Sequence, residues 1–159
     1  MGRPSKKAER LEQILKAFQR CVARFGLEGS TLERIAEEAQ LQRSLVRHFA
    51  GNRDDLVQQL AIRMIEQSDR EWAAFCGQLP ASGASAALVE SLFDDQYSDP
   101  EFVLVMESLI FAAGHDTALQ TLVQEWMARF SSDVEAIIRS DYPKASEQAI
   151  AAVAFGMIS

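Results

Sequence analysis

One spacing runs through this chain from end to end. Apolar residues recur three or four positions apart, the period of helices with one buried face. From Ala8 to Phe25 the stripe is Leu11, Ile14, Leu15, Phe18, Val22 and Phe25, and Gly26 stops it. Ser30 and Thr31 then offer N-cap hydroxyls, with Glu33 at capping-box distance from Ser30, so a short second helix runs to about Ala39. After Gln40-Leu41, the stretch Gln42 to Phe49 makes a third. Asn52 caps a long fourth helix that carries Asp54 and Asp55 in its first turn and buries Leu56, Leu60 and Met64. Further helices are expected at about Ala86 to Tyr97, Pro100 to Ala113, Thr117 to Asp141 and from Ser146 onward. The Pro100 helix is apolar nearly all round (Phe102, Val103, Leu104, Val105, Met106, Leu109, Ile110, Phe111), which places it at the centre of the body. No segment reads as a strand and no repeat is evident, so the fold class is all-α.

The chain has 159 residues, 48 % of them hydrophobic and 25 % charged, enough for a packed core and for one domain or one plus a small appendage. Four prolines and eight glycines are too few for a barrel or sandwich of many short strands. No apolar run is long enough for a membrane span, and the first 25 residues lack a signal-peptide core, so the expected location is the cytoplasm. Cys21 and Cys76 stand apart, without the spacing of a disulfide framework or a zinc site. Net charge is −7, yet residues 1–53 carry 11 Lys and Arg against 6 Asp and Glu. The first third is therefore basic and the remainder strongly acidic, so only the first third is suited to face a polyanion.

The two short helices with a tight turn between them have the outline of a helix-turn-helix. Ile35, Ala36 and Ala39 form the inner face of the first, Leu41 plugs the turn, and Val46 and Phe49 form the inner face of the second. Ala36 is small enough to let two steeply crossing helices meet. That assignment leaves Gln42, Arg43, Ser44, Arg47 and His48 on the outer face, residue types that read base edges and hold phosphates.

With these residues the first 60 positions resemble the DNA-binding domain of the TetR family of bacterial transcription regulators. The matching residues are Arg10, Ile14, Leu15, Ala17, Phe25 and Gly26, then Ser30-Thr31, Ile35-Ala36, Ala39 to Gln42, and Asn52 to Leu56, with Gly2-Arg3-Pro4 similar to the basic arm of many members. Three positions depart from the family pattern. Gln40 replaces a turn glycine, Arg47 a phosphate-contacting tyrosine, and Ala50 a core phenylalanine, with Phe49 one position earlier. The resemblance implies a DNA-binding domain over 1–53 and a helical regulatory and dimerisation domain over 54–159. It also implies a homodimer on a palindromic operator, released by a small molecule. The DNA contacts it implies are Arg3, Thr31, Gln42, Arg43, Ser44, Arg47, His48 and Arg53.

An apolar site for the inducer is expected between the Leu56 and Pro100 helices. Its candidate residues are Trp72, Phe75, Phe93, Tyr97, Met106, Phe111, His115 and Trp126, with Tyr97 and His115 as polar handles. Only Arg63, Arg70, Arg129, Arg139 and Lys144 are cationic between residues 54 and 144, so the expected ligand is neutral or cationic and largely apolar. Dimer contacts are expected on the Thr117 and Ser146 helices, where Ala149, Ala152 and Ala154 permit close approach. No metal site or cofactor is expected. Asp94-Asp95 and Asp99-Glu101 read as solvated or capping charges, and His115-Asp116 has no Ser or Cys motif with it. The apolar pattern Ile150, Val153, Met157 and Ile158 runs to Ser159 without a cap, so the helical domain is expected to continue. A helical interaction module that has lost specific DNA binding is the main competing reading, and a helical-bundle enzyme a weaker one. Salt-sensitive retention on duplex DNA separates both from a regulator.

Overall fold

The computed structural model describes residues 5–92 and 99–158. Among them are eight helices: α1 (Lys6–Gly29), α2 (Leu32–Glu38), α3 (Arg43–Ala50), α4 (Arg53–Cys76), α5 (Ala84–Leu92), α6 (Pro100–Ala113), α7 (Thr117–Asp141) and α8 (Glu147–Ile158). The chain packs as two compact units, residues 1–66 with 99–120, and 67–98 with 121–159.

Punctuation in the sequence explains the helix ends. Inside α1, Gly26 adopts φ 68° and ψ 173°, breaking the helical path where the stripe predicts a stop. The cap of α2 is Thr31, whose hydroxyl accepts from the Arg34 N–H. Of the two hydroxyls expected as caps, Ser30 is not used, and the capping box expected between it and Glu33 does not form. Ser30 is fully buried and donates its hydroxyl proton to the Gly26 carbonyl at 2.7 Å, satisfying a carbonyl freed by the break in α1. Asn52 caps α4 through a reciprocal pair, its side chain accepting from the Asp55 N–H and its own N–H donating to the Asp55 carboxylate, both at 2.9 Å. Asp99 and Ser146 cap α6 and α8 through their side chains alone, accepting from the N–H groups of Glu101 and Ala149.

In the first unit α1 packs on α2, α3 and α6. The core contains Ile14, Phe18, Ile35, Val46, Leu56, Leu60, Met64, Val105 and Leu109. The expectation for α6 needs correcting. Val105, Met106, Leu109 and Ala113 are buried, but Val103, Leu104, Ile110 and Phe111 face outward, Phe111 at 78 % exposure. An all-round apolar pattern cannot say which side packs, and α6 buries only one. In the second unit Leu88, Val134, Ile138, Ile150 and Ala154 form a core, with Trp72, Phe75, Phe130 and Ile137 packed around it. Ala154 therefore lies inside the chain's own core and offers no dimer contact, whereas Ala149 and Ala152 are exposed. Asp141 joins α7 to α5 by accepting from the N–H groups of Gly83 and Ser85 and from the Ser85 hydroxyl.

Candidate nucleic-acid interface

The arrangement of α2 and α3 follows from their small buried faces. Ile35, Ala36 and Ala39 of the α2 segment and Val46 and Ala50 of α3 are each 5 % exposed or less. Between the helices, Gln40 takes φ 55°, the left-handed conformation that a glycine would occupy freely. The turn is tied by the Leu41 N–H donating to the Ala36 carbonyl and by Gln13 of α1 donating to the Ala39 carbonyl at 2.7 Å. From α1, Arg20 and Arg24 also reach Glu38 at the end of α2, at 2.5 and 3.3 Å. The Arg20 hydrogen bond holds the Glu38 carboxyl below the usual carboxylate range. Gln59 of α4 donates to the Ala50 carbonyl, and Gly51 closes α3 with φ 85°.

This frame presents Gln42, Arg43, Ser44, Arg47 and His48 to solvent on α3, as the spacing predicts. Phe49 is only half-buried and meets the His48 ring edge-on, while Ala50 holds the core position expected of Phe49. The register is therefore the one in which Ala50 replaces a larger core residue. Gln42 is the N-cap of α3 but makes no side-chain cap bond, and among the described residues no side-chain hydrogen bond to that helix end is seen.

Thr31 is exposed, and because its oxygen only accepts in the cap, its hydroxyl proton is left for another acceptor. Arg53 is half-buried and donates to the carbonyls of Ser30 and Leu27, so much of its fork holds the α1–α2 turn. Arg3 lies outside the described residues. Two features were missed in the sequence. Leu45 is 39 % exposed on the outer side of α3, an apolar group of the kind that meets a thymine methyl, and Glu33 of α2 contacts Arg43 at 2.6 Å. Leu45 was hidden because subtracting core residues by hydrophobicity removes every leucine from the outer face.

The expected single inducer pocket divides between the two units. In the second unit an open groove of about 800 Å³ is lined by Trp72, Cys76, Trp126, Phe130 and Ile137 among others. Its polar groups are partly satisfied: Trp72 Nε1 donates to Asp133 at 2.9 Å and Arg129 pairs with Asp69 at 3.0 Å. Burial and the nearby Asp133 charge push the Cys76 thiol up, which keeps it protonated. Phe75 stacks on Trp72 and faces a smaller cavity with Leu88 and Phe130. Phe111 and His115 instead line a groove of about 630 Å³ in the first unit, beside Phe25, Arg53 and Leu119. Met106 is 5 % exposed in the core and lines neither groove, and Phe93 and Tyr97 lie outside the described residues. No group of three or more metal-ligating side chains occurs among the described residues, and no described helix is long and apolar enough to cross a membrane.

Known structures share this architecture. A putative transcriptional regulator from Pseudomonas aeruginosa PAO1 superposes with a TM-score of 0.78 at 18 % identity, over 96 % of this chain and 75 % of the other. A member of the TetR family from Streptomyces coelicolor A3 gives a TM-score of 0.69 at 24 % identity, over 93 % and 84 %. The chain has the TetR-family fold. In sequence it is 31 % identical over 84 residues to the HTH-type transcriptional repressor AcnR of Corynebacterium jeikeium, a match covering 53 % of this chain and 42 % of that protein. No family model matches the sequence. The multidrug binding protein EbrR, solved with imidazole, shares the TetR-family fold at a TM-score of 0.64 and 22 % identity, over 98 % of this chain and 82 % of that one.

Proposed function

We propose that the chain is a transcriptional regulator, most simply a repressor, that binds a palindromic operator as a homodimer and is released by a small molecule. The observation that carries this reading is α3. Its buried side is fixed by Val46 and Ala50, and its outer side holds Gln42, Arg43, Ser44, Arg47 and His48 within the basic third of the chain. Gln42, the N-cap, and Arg43, in the first turn, are the base readers; Arg47, Thr31 and the N-terminal end of α3 hold phosphates, and Arg3 and Arg53 add further contacts. Residues 1–53 are the DNA-binding part and 54–159 the regulatory and dimerising part. The name of the repressor relative supports the same reading.

The inducer site is the groove of the second unit, where Trp72, Trp126 and Phe130 supply an apolar wall. Asp69 and Asp133 outnumber its one cation, Arg129, which supports a neutral or cationic ligand over a polyanion. EbrR, whose structures include complexes with proflavin and malachite green, supports a small-molecule site on this fold. The test of the regulator reading is selection of bound fragments from random duplex DNA. A two-fold symmetric motif with half-sites about one helical turn apart, roughly 34 to 36 Å, is the expected result. Recovery of fragments without a shared motif counts against it.

A further inference from the structure

Glu33 stands in the first turn of α2 and Arg43 opens α3, and the turn between the helices brings their side chains to 2.6 Å. Both remain more than half exposed, at 60 % and 57 %, so the pair adds little to folding. Its position is the informative part. Arg43 is a flexible cation at a helix N-terminus, where the helix dipole disfavours positive charge, and Glu33 offsets that while restricting its rotamers. The other cation near Glu33 in sequence, Arg34, is engaged elsewhere, donating to the Gly29 carbonyl and lying over the Phe25 ring.

We propose that Glu33 is a positioning residue for sequence recognition, holding the Arg43 guanidinium toward the base edges and penalising sites that give Arg43 no guanine. The inference rests on the DNA-binding reading above. A guanidinium carries five donors in a planar fork; with one nitrogen on Glu33, others remain to bond guanine O6 and N7. At a site without guanine, Arg43 gains most by turning to a phosphate, which strands the Glu33 carboxylate beside the DNA backbone. Specificity then comes from a repulsive element as well as an attractive one.

The experiment is a double-mutant cycle on the full chain with Glu33→Gln and Arg43→Ala. Affinities are measured for the selected site, for that site with its Arg43-dependent guanine replaced, and for random duplex. Glu33→Gln is expected to lower the selected-to-replaced ratio by about threefold to fivefold, the scale of one exposed ion pair, and to leave random-duplex binding equal or tighter. In the Arg43→Ala background the same change is expected to leave the ratio untouched. An unchanged ratio in the single variant overturns the proposal. So does an equal loss in the Arg43→Ala background, which would mean that Glu33 contacts a base directly. If the wild-type chain prefers no duplex over another, the regulator reading itself fails and takes this inference with it.

Discussion

At the scale of single residues, the sequence shows most clearly where geometry leaves little choice. Gln40 stands where the helix-turn-helix pattern wants glycine, and its φ of 55° confirms that the backbone there is left-handed. Gln40→Gly is therefore expected to stabilise the chain by up to about 1 kcal/mol, a rise of a few degrees in Tm by calorimetry. A lower Tm would mean that the Gln40 side chain contributes more than its strain costs. Arg43 and Arg47 are both exposed cations on α3, yet they are expected to behave differently. Arg43→Ala should cost roughly 1 to 3 kcal/mol on the selected site and relax its sequence preference, while Arg47→Ala should weaken all duplexes about equally and reduce the salt slope by about 1. Fluorescence anisotropy on selected and scrambled duplexes separates the two, and identical profiles would mean that α3 does not present Arg43 to the bases. Arg53 illustrates a limit of reading residues by type: nothing in an arginine's identity says that its donors go to the carbonyls of Leu27 and Ser30.

At the scale of elements, the bounds of α6 and α7 were legible, the expected spans Pro100 to Ala113 and Thr117 to Asp141 being those observed, while the cap that Asp116 supplies to α7 was not. Which faces pack was less legible. Hydropathy placed all of α6 inside, although a helix that meets neighbours on one side buries one side only. Long-range polar ties were invisible for a related reason: the bonds from Arg20 to Glu38 and from Gln13 to the Ala39 carbonyl join positions 18 and 26 residues apart, and no local pattern encodes them. Glu38 gives this level its pH dependence. Its carboxyl is held below the ordinary value, so its contribution is complete at neutral pH and is lost as pH falls below the ordinary carboxylate range and through its own lowered value. Wild type and Glu38→Gln are expected to differ in urea midpoint at pH 7 and to converge near the acid end of the titration. Parallel curves across that range would show that the Arg20 and Arg24 pairs do not couple α1 to α2.

At the scale of the whole molecule, the skew of charge was readable from the sequence, since residues 1–53 hold 11 of the 16 Lys and Arg, but the return of residues 99–120 to the first compact unit was not. Nor were the grooves readable, because aromatic composition marks candidates without saying which of them meet; Trp72 and Trp126 share a groove, while Phe111 and His115 line another. The proposed homodimer draws on the exposed apolar surface of α8, where Val153 is 53 % exposed and Phe155 73 %. Val153→Glu is expected to shift the chain from dimer to monomer in light scattering and to weaken binding to a two-half-site duplex more than to a single half-site. A dimer unaffected by that change would move the interface off α8. The central claim, that α3 reads DNA in a sequence-dependent way, is tested most directly by binding isotherms for the selected duplex and a scrambled one over a series of salt concentrations. Both affinities are expected to fall as salt rises, with the selected duplex at least about a thousandfold tighter at physiological salt. Equal affinities for the two duplexes, or binding indifferent to salt, would contradict that claim.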